Sequence, residues 1–267
     1  MAEDREVRHV RALFLSDVHL GMKPIRSRQL IEFLRAHDAE TIYLVGDIVD
    51  GWRLAKQWHW PAEYNILIDL LLAKANAGTR VVYLPGNHDE FLREYLGTYF
   101  GEIELVDRTI HTSAAGKTYL VIHGDQFDVV VMNMKWLAHV GDWAYNAALR
   151  VNIAINWVRR RLGLQYWSLS AWAKQKVKNA VSVIGRFEEA LVHEARESGV
   201  DGVICGHIHF ADIHDRLGIQ YINTGDWVES CTAIVENHDG GFELIKWTEM
   251  VTGDTRKAAK VRRVNEQ

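Results

Sequence analysis

The stretch Val81-Val82-Tyr83-Leu84-Pro85-Gly86-Asn87-His88-Asp89 begins as a strand and ends as chemistry. Four β-favouring residues run into Pro-Gly, a turn dipeptide. An amide, an imidazole and a carboxylate then stand side by side. Such a trio can cap a following helix, hold a metal ion or handle a proton. Four other runs share the plan. Residues 8–19, 41–47, 117–125 and 201–209 each pass from apolar, β-favouring residues into a polar cluster. The clusters are Ser16-Asp17-Val18-His19, Gly46-Asp47, His123-Gly124-Asp125 and Gly206-His207-Ile208-His209. Each run predicts a buried strand of about 4–6 residues whose C-terminal end delivers side chains.

Helical segments separate the first three strands. Residues 26–37 carry Leu30, Phe33 and Leu34 at helical spacing, and residues 64–78 end in the stop signal Asn76-Ala77-Gly78. Strand–helix–strand alternation predicts an α/β protein. In such sheets ligands gather at the C-terminal ends of strands, where all five clusters stand. After residue 218, the stretches IQYINTGDW, CTAIVE and FELIKW predict a closing run of antiparallel strands.

The chain has 267 residues, 48% of them hydrophobic and 25% charged, which suits a soluble protein with a substantial core. The net charge of −4 argues against a nucleic-acid partner. The charged start MAEDREVRHV does not read as a secretory signal, and no stretch reads as a membrane span. Cys205 and Cys231 fit a reduced, cytoplasmic protein. One window stands apart. Residues 126–185 hold five of the ten tryptophans and eight Lys/Arg against two Asp/Glu, a local charge of +6, so the remainder carries −10. Within it, Val151, Ile155, Val158 and Leu162 form one apolar helical stripe, and Leu149, Ile153 and Trp157 a second. Two stripes ask for two contacts, or for burial on most sides. The expected organisation is one domain over 1–250 with 126–185 as a helical lid insertion, followed by a basic tail over 251–267.

The polar clusters supply Asp17, His19, Asp47, Asn87, His88, His123, His207 and His209. Residues i and i+2 of an extended chain point to one side, so Asp17 and His19 can grip one ion, as can His207 and His209. Taken singly, each histidine is more often a surface or core residue than a ligand. Five clusters at five strand ends are much harder to explain that way. Carboxylates, imidazoles and an amide suit Mn²⁺, with Fe²⁺ or Zn²⁺ as alternatives. Seven ligands exceed one tetrahedral zinc and fit two divalent ions about 3.5–4 Å apart that share a bridging carboxylate.

In the order SDVH, GDIVD, GNHD, HGD and GHIH, the chain resembles the calcineurin-like metallophosphoesterase superfamily from residue 16 to residue 209. The resemblance implies a two-sheet mixed β sandwich flanked by helices, with two metal ions at the strand ends. It also implies roles. Asp17, His19 and His209 would hold one ion, Asn87, His123 and His207 the other, and Asp47 would bridge them. His88 would be the catalytic group facing the substrate, with Asp89 orienting its ring. Within the superfamily the chain is similar to the UDP-2,3-diacylglucosamine hydrolases of lipid A synthesis. The similar features are the length, the helical insert between HGD and GHIH, and the Gly225-Asp226-Trp227 turn. Those enzymes cleave a diphosphate in a nucleotide-linked, diacylated sugar, releasing UMP and a diacylglucosamine 1-phosphate. Well-known members carry arginine where this chain has His88; histidine is the residue of the wider superfamily. The alternative substrate class is therefore a soluble nucleotide or another lipid phosphoester. A scaffold without catalysis need not keep the ligands, and every one is present.

The insert supplies the remaining candidates. Lys174 and Lys178 share a helical face that could meet a diphosphate, and Trp172 could line the apolar part of the pocket. The lid and basic tail are the expected points of peripheral contact with the cytoplasmic face of the inner membrane. Asp50 has two readings: orienter of a ligand histidine, or helix N-cap. Asp125 could support the metal ligands or sit in a solvated turn.

Overall fold

The computed structural model describes residues 7–23, 25–127 and 184–248. The chain divides into two compact units, Met1–Asp125 with Val192–Gln267, and Gln126–Leu191. Every element named below belongs to the first unit. The interior of the expected lid, 128–183 with Trp172, Lys174 and Lys178, lies outside the described residues, as does the tail over 251–267. Among the described residues no helix is long and apolar enough to cross a membrane.

The strands are β1 (Arg8–Leu15), β2 (His37–Val45), β3 (Arg80–Leu84), β4 (Tyr99–Phe100), β5 (Ile103–Leu105), β6 (Thr109–Thr112), β7 (Thr118–Val121), β8 (Gly202–Cys205), β9 (Asp212–Arg216), β10 (Ile219–Asn223), β11 (Thr232–Glu236) and β12 (Phe242–Lys246). The helices are α1 (Ser27–Ala36), α2 (Gly51–Lys56) and α3 (Ala62–Asn76). Seven strands form one mixed sheet in the order β12-β11-β1-β2-β3-β5-β4, and five form another in the order β6-β7-β8-β10-β9. β1, β2, β3 and β5 run parallel in the first sheet, and β7, β8 and β10 run parallel in the second.

Side chains alternate across β1, and each face has its own layer. Ala12 and Phe14 join Tyr43, Val45, Val82 and Leu84 of the first sheet with Tyr119, Val121, Ile204 and Ile222 of the second, filling the space between the sheets. Leu13 and Leu15 point the other way, into a second core with Leu30, Phe33 and Leu34 of α1 and Tyr64, Leu67 and Leu71 of α3. α1 buries Leu30, Phe33 and Leu34, the stripe that its sequence spacing predicts, and Ile31 beside it. α3 gives way at Asn76-Ala77-Gly78, where Gly78 takes φ +105°, a left-handed stop that a side chain would strain.

Three expectations change. β1 and β2 run to eight and nine residues, longer than expected. α1 passes into β2 at His37, so that residue belongs to the strand and not to the helix. The closing strands also do not form one antiparallel run. β10 lies in the second sheet, parallel to β8 and antiparallel to β9, and of the three closing strands β11 and β12 alone pair with each other, antiparallel, on the first. The turn through Gly225-Asp226-Trp227 carries the chain between the sheets. Asp226 Oδ1 holds it by accepting the amides of Val228, Glu229 and Ser230.

Candidate metal centre

The loops that follow β1, β2, β3, β7 and β8 meet at one end of the sandwich. Backbone hydrogen bonds lace them together. Asp17 N donates to Gly46 O at 3.0 Å, His19 N to Asp47 O at 2.9 Å, Gly51 N to His88 O at 2.9 Å, and Gly206 N to His123 O at 3.2 Å. Trp227 N donates to Asp17 O at 3.0 Å, so the buried Gly-Asp-Trp turn backs the first loop.

The local backbone is unusual where the donors stand. Asp17, His19, Asp47, His207 and His209 all have φ between 52° and 70°. Only two other described non-glycine residues, Leu217 and Cys231, share that left-handed region. Such conformations cost free energy and persist where the surroundings over-determine them. Here they turn consecutive side chains inward at the strand ends. Glycine has a separate use at position 86, where a Cβ would collide with Asp47 Oδ1 and His123 Nε2.

Six of the seven expected ligands fall into two groups whose donor atoms lie within 4.8 Å of one another: Asp17, His19 and His209, and Asp47, His123 and His207. Asp17 Oδ2 accepts from Ser16 Oγ and from the His207 amide, leaving Oδ1 at 3.1 Å from His209 Nε2. Asp47 Oδ1 accepts the His88 amide at 2.8 Å. Its Oδ2 lies 3.4 Å from His123 Nε2 and 3.9 Å from His19 Nε2, so this one carboxylate reaches both groups. Asn87 sits between Gly86 and His88, both packed on Asp47, and its Oδ1 is buried without a hydrogen-bond partner.

The donors fit a pair of divalent cations. Asp17 Oδ1, Asn87 Oδ1 and His123 Nε2 are buried and lack hydrogen-bond partners, a costly state that a cation would relieve. The Nδ1 of His123 hydrogen-bonds Val45 O at 2.8 Å, which as a donor leaves Nε2 with its lone pair facing Asp47. The local field also favours positive charge. Burial works to lower the His123 pKa, but the negative charge of Asp47, 3.4 Å away, with Asp17 behind it, pushes it up to about 10. Burial opposes ionisation of Asp17 and Asp47 too, yet histidine partners hold both below the usual carboxylate range, His209 for Asp17 and His123 for Asp47. Burial lowers His19, whereas Asp17 raises His209 against its burial.

His88 lies at the open side of this cluster. Its side chain is 24% exposed and that of His209 41%, against 4% or less for Asp17, His19, Asp47 and His123. The His88 ring stands edge-on to His19, with centroids 4.6 Å apart, and its other neighbour is the half-exposed Trp52 at 4.4 Å. Trp52 Nε1 donates to Glu90 Oε1 at 3.1 Å, which fixes the indole beside the opening.

The orienting role expected of Asp89 is corrected by its contacts. Asp89 is fully buried and accepts from Tyr83 Oη at 2.6 Å, Ile48 N at 2.8 Å and Gly86 N at 2.5 Å. It staples the ends of β2 and β3 together. Burial and the Asp47 carboxylate push its pKa up, against those donors. The carboxylate that faces His88 is Asp50, whose Oδ1 lies 3.2 Å from His88 Nδ1 and accepts Arg53 N at 2.8 Å. The N-cap reading of Asp50 therefore holds, and its carboxylate also faces His88, which is not among the expected ligands. Its Oδ2 also lies 3.8 Å from His19 Nδ1. Ser16, which props Asp17 and meets Thr224 Oγ1 at 2.5 Å, was not singled out from the sequence. A lone serine before Asp-x-His has no pattern of its own to reveal it.

Residues 10–211 match the calcineurin-like phosphoesterase family. Among curated proteins, the UDP-2,3-diacylglucosamine hydrolase of Chromohalobacter salexigens is 29% identical over 226 residues, covering 80% of this chain and 88% of that one. The enzyme of the same name from Haemophilus influenzae is 27% identical, covering 87% of this chain and 98% of that one. The Neisseria meningitidis serogroup B enzyme is 28% identical, covering 88% and 97%. With the family matched across most of the chain and the donor atoms converging at the strand ends, this protein belongs to the calcineurin-like phosphoesterases and is a metal-dependent hydrolase of phosphoester or phosphoanhydride bonds.

Proposed function

We propose that the protein hydrolyses the diphosphate of UDP-2,3-diacylglucosamine, giving UMP and 2,3-diacylglucosamine 1-phosphate. The observation that carries the reading is the convergence of Asp17, His19, Asp47, His123, His207 and His209 in a chain similar over most of its length to hydrolases of that name. In this reading Asp17, His19 and His209 hold one ion, Asn87, His123 and His207 the other, and Asp47 both, with Mn²⁺ the expected metal. When bound, two such ions supply Lewis acidity to the phosphoryl group and acidify water between them. The chain's own residues do the rest. Ser16 and the His207 amide fix the Asp17 carboxylate, and the His88 amide fixes Asp47. His88, with Asp50 at its Nδ1, presents the opposite edge of its ring to the opening. There it donates a hydrogen bond or a proton to the oxygen that leaves phosphorus. The exposed indole of Trp52 supports an apolar portion of the substrate beside the reacting group. The chain would meet such a substrate at the cytoplasmic face of the inner membrane, with the basic, tryptophan-rich segment over 126–185 receiving the acyl chains.

A second reading, hydrolysis of another lipid phosphoester or a soluble nucleotide, is favoured by His88 itself. A histidine can give a proton to a leaving oxygen, whereas arginine only offers charge. The test compares metal-reconstituted protein on UDP-2,3-diacylglucosamine, on the same compound with shortened acyl chains, and on a soluble phosphodiester. Release of UMP, with kcat/KM falling as the chains shorten, supports the first reading. Turnover of the soluble diester alone replaces it with the second.

A further inference from the structure

The second proposed metal position draws its ligands from loops of different sheets. Asn87 follows β3 in the first sheet, and His123 follows β7 in the second. Their separation is not set by a shared strand pair, because β3 and β7 are not neighbours. One side chain joins these loops directly. Arg93 lies in the 3-10 turn Glu90–Tyr95 that follows Asp89. Its Nη2 stands 2.9 Å and 2.8 Å from the two oxygens of Asp125, two residues beyond His123. The same nitrogen lies 3.2 Å from Pro85 O, two residues before Asn87. Its Nε is 3.7 Å from Asp107 Oδ1, on the link between β5 and β6. The Asp125 side chain is only 9% exposed and that of Arg93 33%, so the contact is sheltered and less screened by solvent than a surface pair.

We propose that Arg93 is a positioning residue that, through Asp125 and the Pro85 carbonyl, holds the β3 and β7 loops at the separation the second metal position needs. The inference rests on the dimetal reading above. Arg93 touches neither substrate nor metal in this role. It acts on Asn87 and His123 from two residues away in each loop, through the Pro85 carbonyl and the Asp125 carboxylate. Among the described residues Arg93 has no contact with the loops that carry Asp17, His19 and His209, so it reaches the first position only indirectly, through the His88 amide and the shared Asp47.

The asymmetry makes the proposal testable. Full-length protein is stripped of metal and titrated with Mn²⁺ by calorimetry, and bound metal is counted after equilibrium dialysis. The wild type takes up two ions. In Arg93→Ala and in Asp125→Asn one ion keeps close to its wild-type affinity, and the other weakens by about 10–100-fold, the usual size for a group that supports a ligand. Arg93→Lys recovers part of the loss because it keeps one charged donor. The double variant Arg93→Ala/Asp125→Asn is no worse than Arg93→Ala alone, since Asp125 acts only through Arg93. Unchanged affinity for both ions in the two single variants overturns the proposal. So does an equal loss at both positions with a lowered melting temperature, which marks a general structural role. If the wild type binds no Mn²⁺, the dimetal reading itself fails, an outcome distinct from wild type binding two ions and the variants doing the same.

Discussion

His88 Nδ1 lies 3.2 Å from Asp50 Oδ1, and that same oxygen caps α2 by accepting the Arg53 amide. The ring beside the opening thus stands against the carboxylate that starts a helix. Asp89, next to His88 in sequence, spends its carboxylate on Tyr83 and backbone amides. The two aspartates should therefore fail differently. Asp50→Asn keeps a capping side chain, so its melting temperature changes little, while kcat falls by about tenfold or more. Asp89→Ala leaves buried donors without an acceptor and lowers stability by about 1–3 kcal/mol or more. Thermal unfolding and steady-state kinetics on both variants check this; equal loss of stability in the two would contradict it.

Asp47 reaches both donor groups, with His123 at 3.4 Å and His19 at 3.9 Å. Asp47→Ala should reduce bound metal at both positions and abolish turnover. Metal analysis of the dialysed variant, alongside activity at saturating Mn²⁺, measures the effect. Wild-type turnover in that variant would end the dimetal mechanism.

Gly86 has no room for a side chain, since a Cβ would collide with Asp47 Oδ1 and His123 Nε2. Gly86→Ala should destabilise the fold by about 1–3 kcal/mol and weaken metal uptake, because the two displaced atoms are both proposed ligands. Denaturant unfolding with and without Mn²⁺ reads both consequences. A variant that unfolds like wild type and gains as much from Mn²⁺ would show that the loop yields more readily than its packing indicates.

Away from the site, Glu236 is fully buried and accepts from Arg11 Nη1 at 2.9 Å and Ala114 N at 2.7 Å, with His111 Nε2 at 2.8 Å. Burial works to raise its pKa, but His111, Ala114 and Arg11 together hold it below the ordinary 4.5. A depressed folded-state pKa means the unfolded chain takes up the proton first. The stability from this carboxylate is therefore complete above about pH 4.5 and drains as pH falls through the lower folded value. Urea unfolding at a series of pH values should show wild type losing stability in that acid range, with Glu236→Gln flatter there and less stable at pH 7. Parallel curves for the two proteins would rule out this origin.

Much of the site is legible without coordinates. Asp17, His19, Asp47, Asn87, His123, His207 and His209 all end short apolar runs, and that pattern is local: strand period, turn residues and polar cluster lie within a few residues of each other. The packing layers of β1 and α1 follow from the same local periodicities. Arg93 left no such trace, because its partners Asp125 and Pro85 become neighbours only when two sheets meet. The sheet that β10 joins was equally hidden, since any apolar strand of that length can pair at either place and its partners β8 and β9 are met only in the folded chain. The partner of His88 was also misread. The family resemblance implied Asp89, but its carboxylate is taken up by Tyr83 and backbone amides, while Asp50 faces His88. Sequence determined which donors the protein owns and that they stand at strand ends, because those features are written in local spacing. Tertiary structure alone decided which carboxylate faces which ring and which loops are tied together, because those contacts join residues that only packing brings into reach.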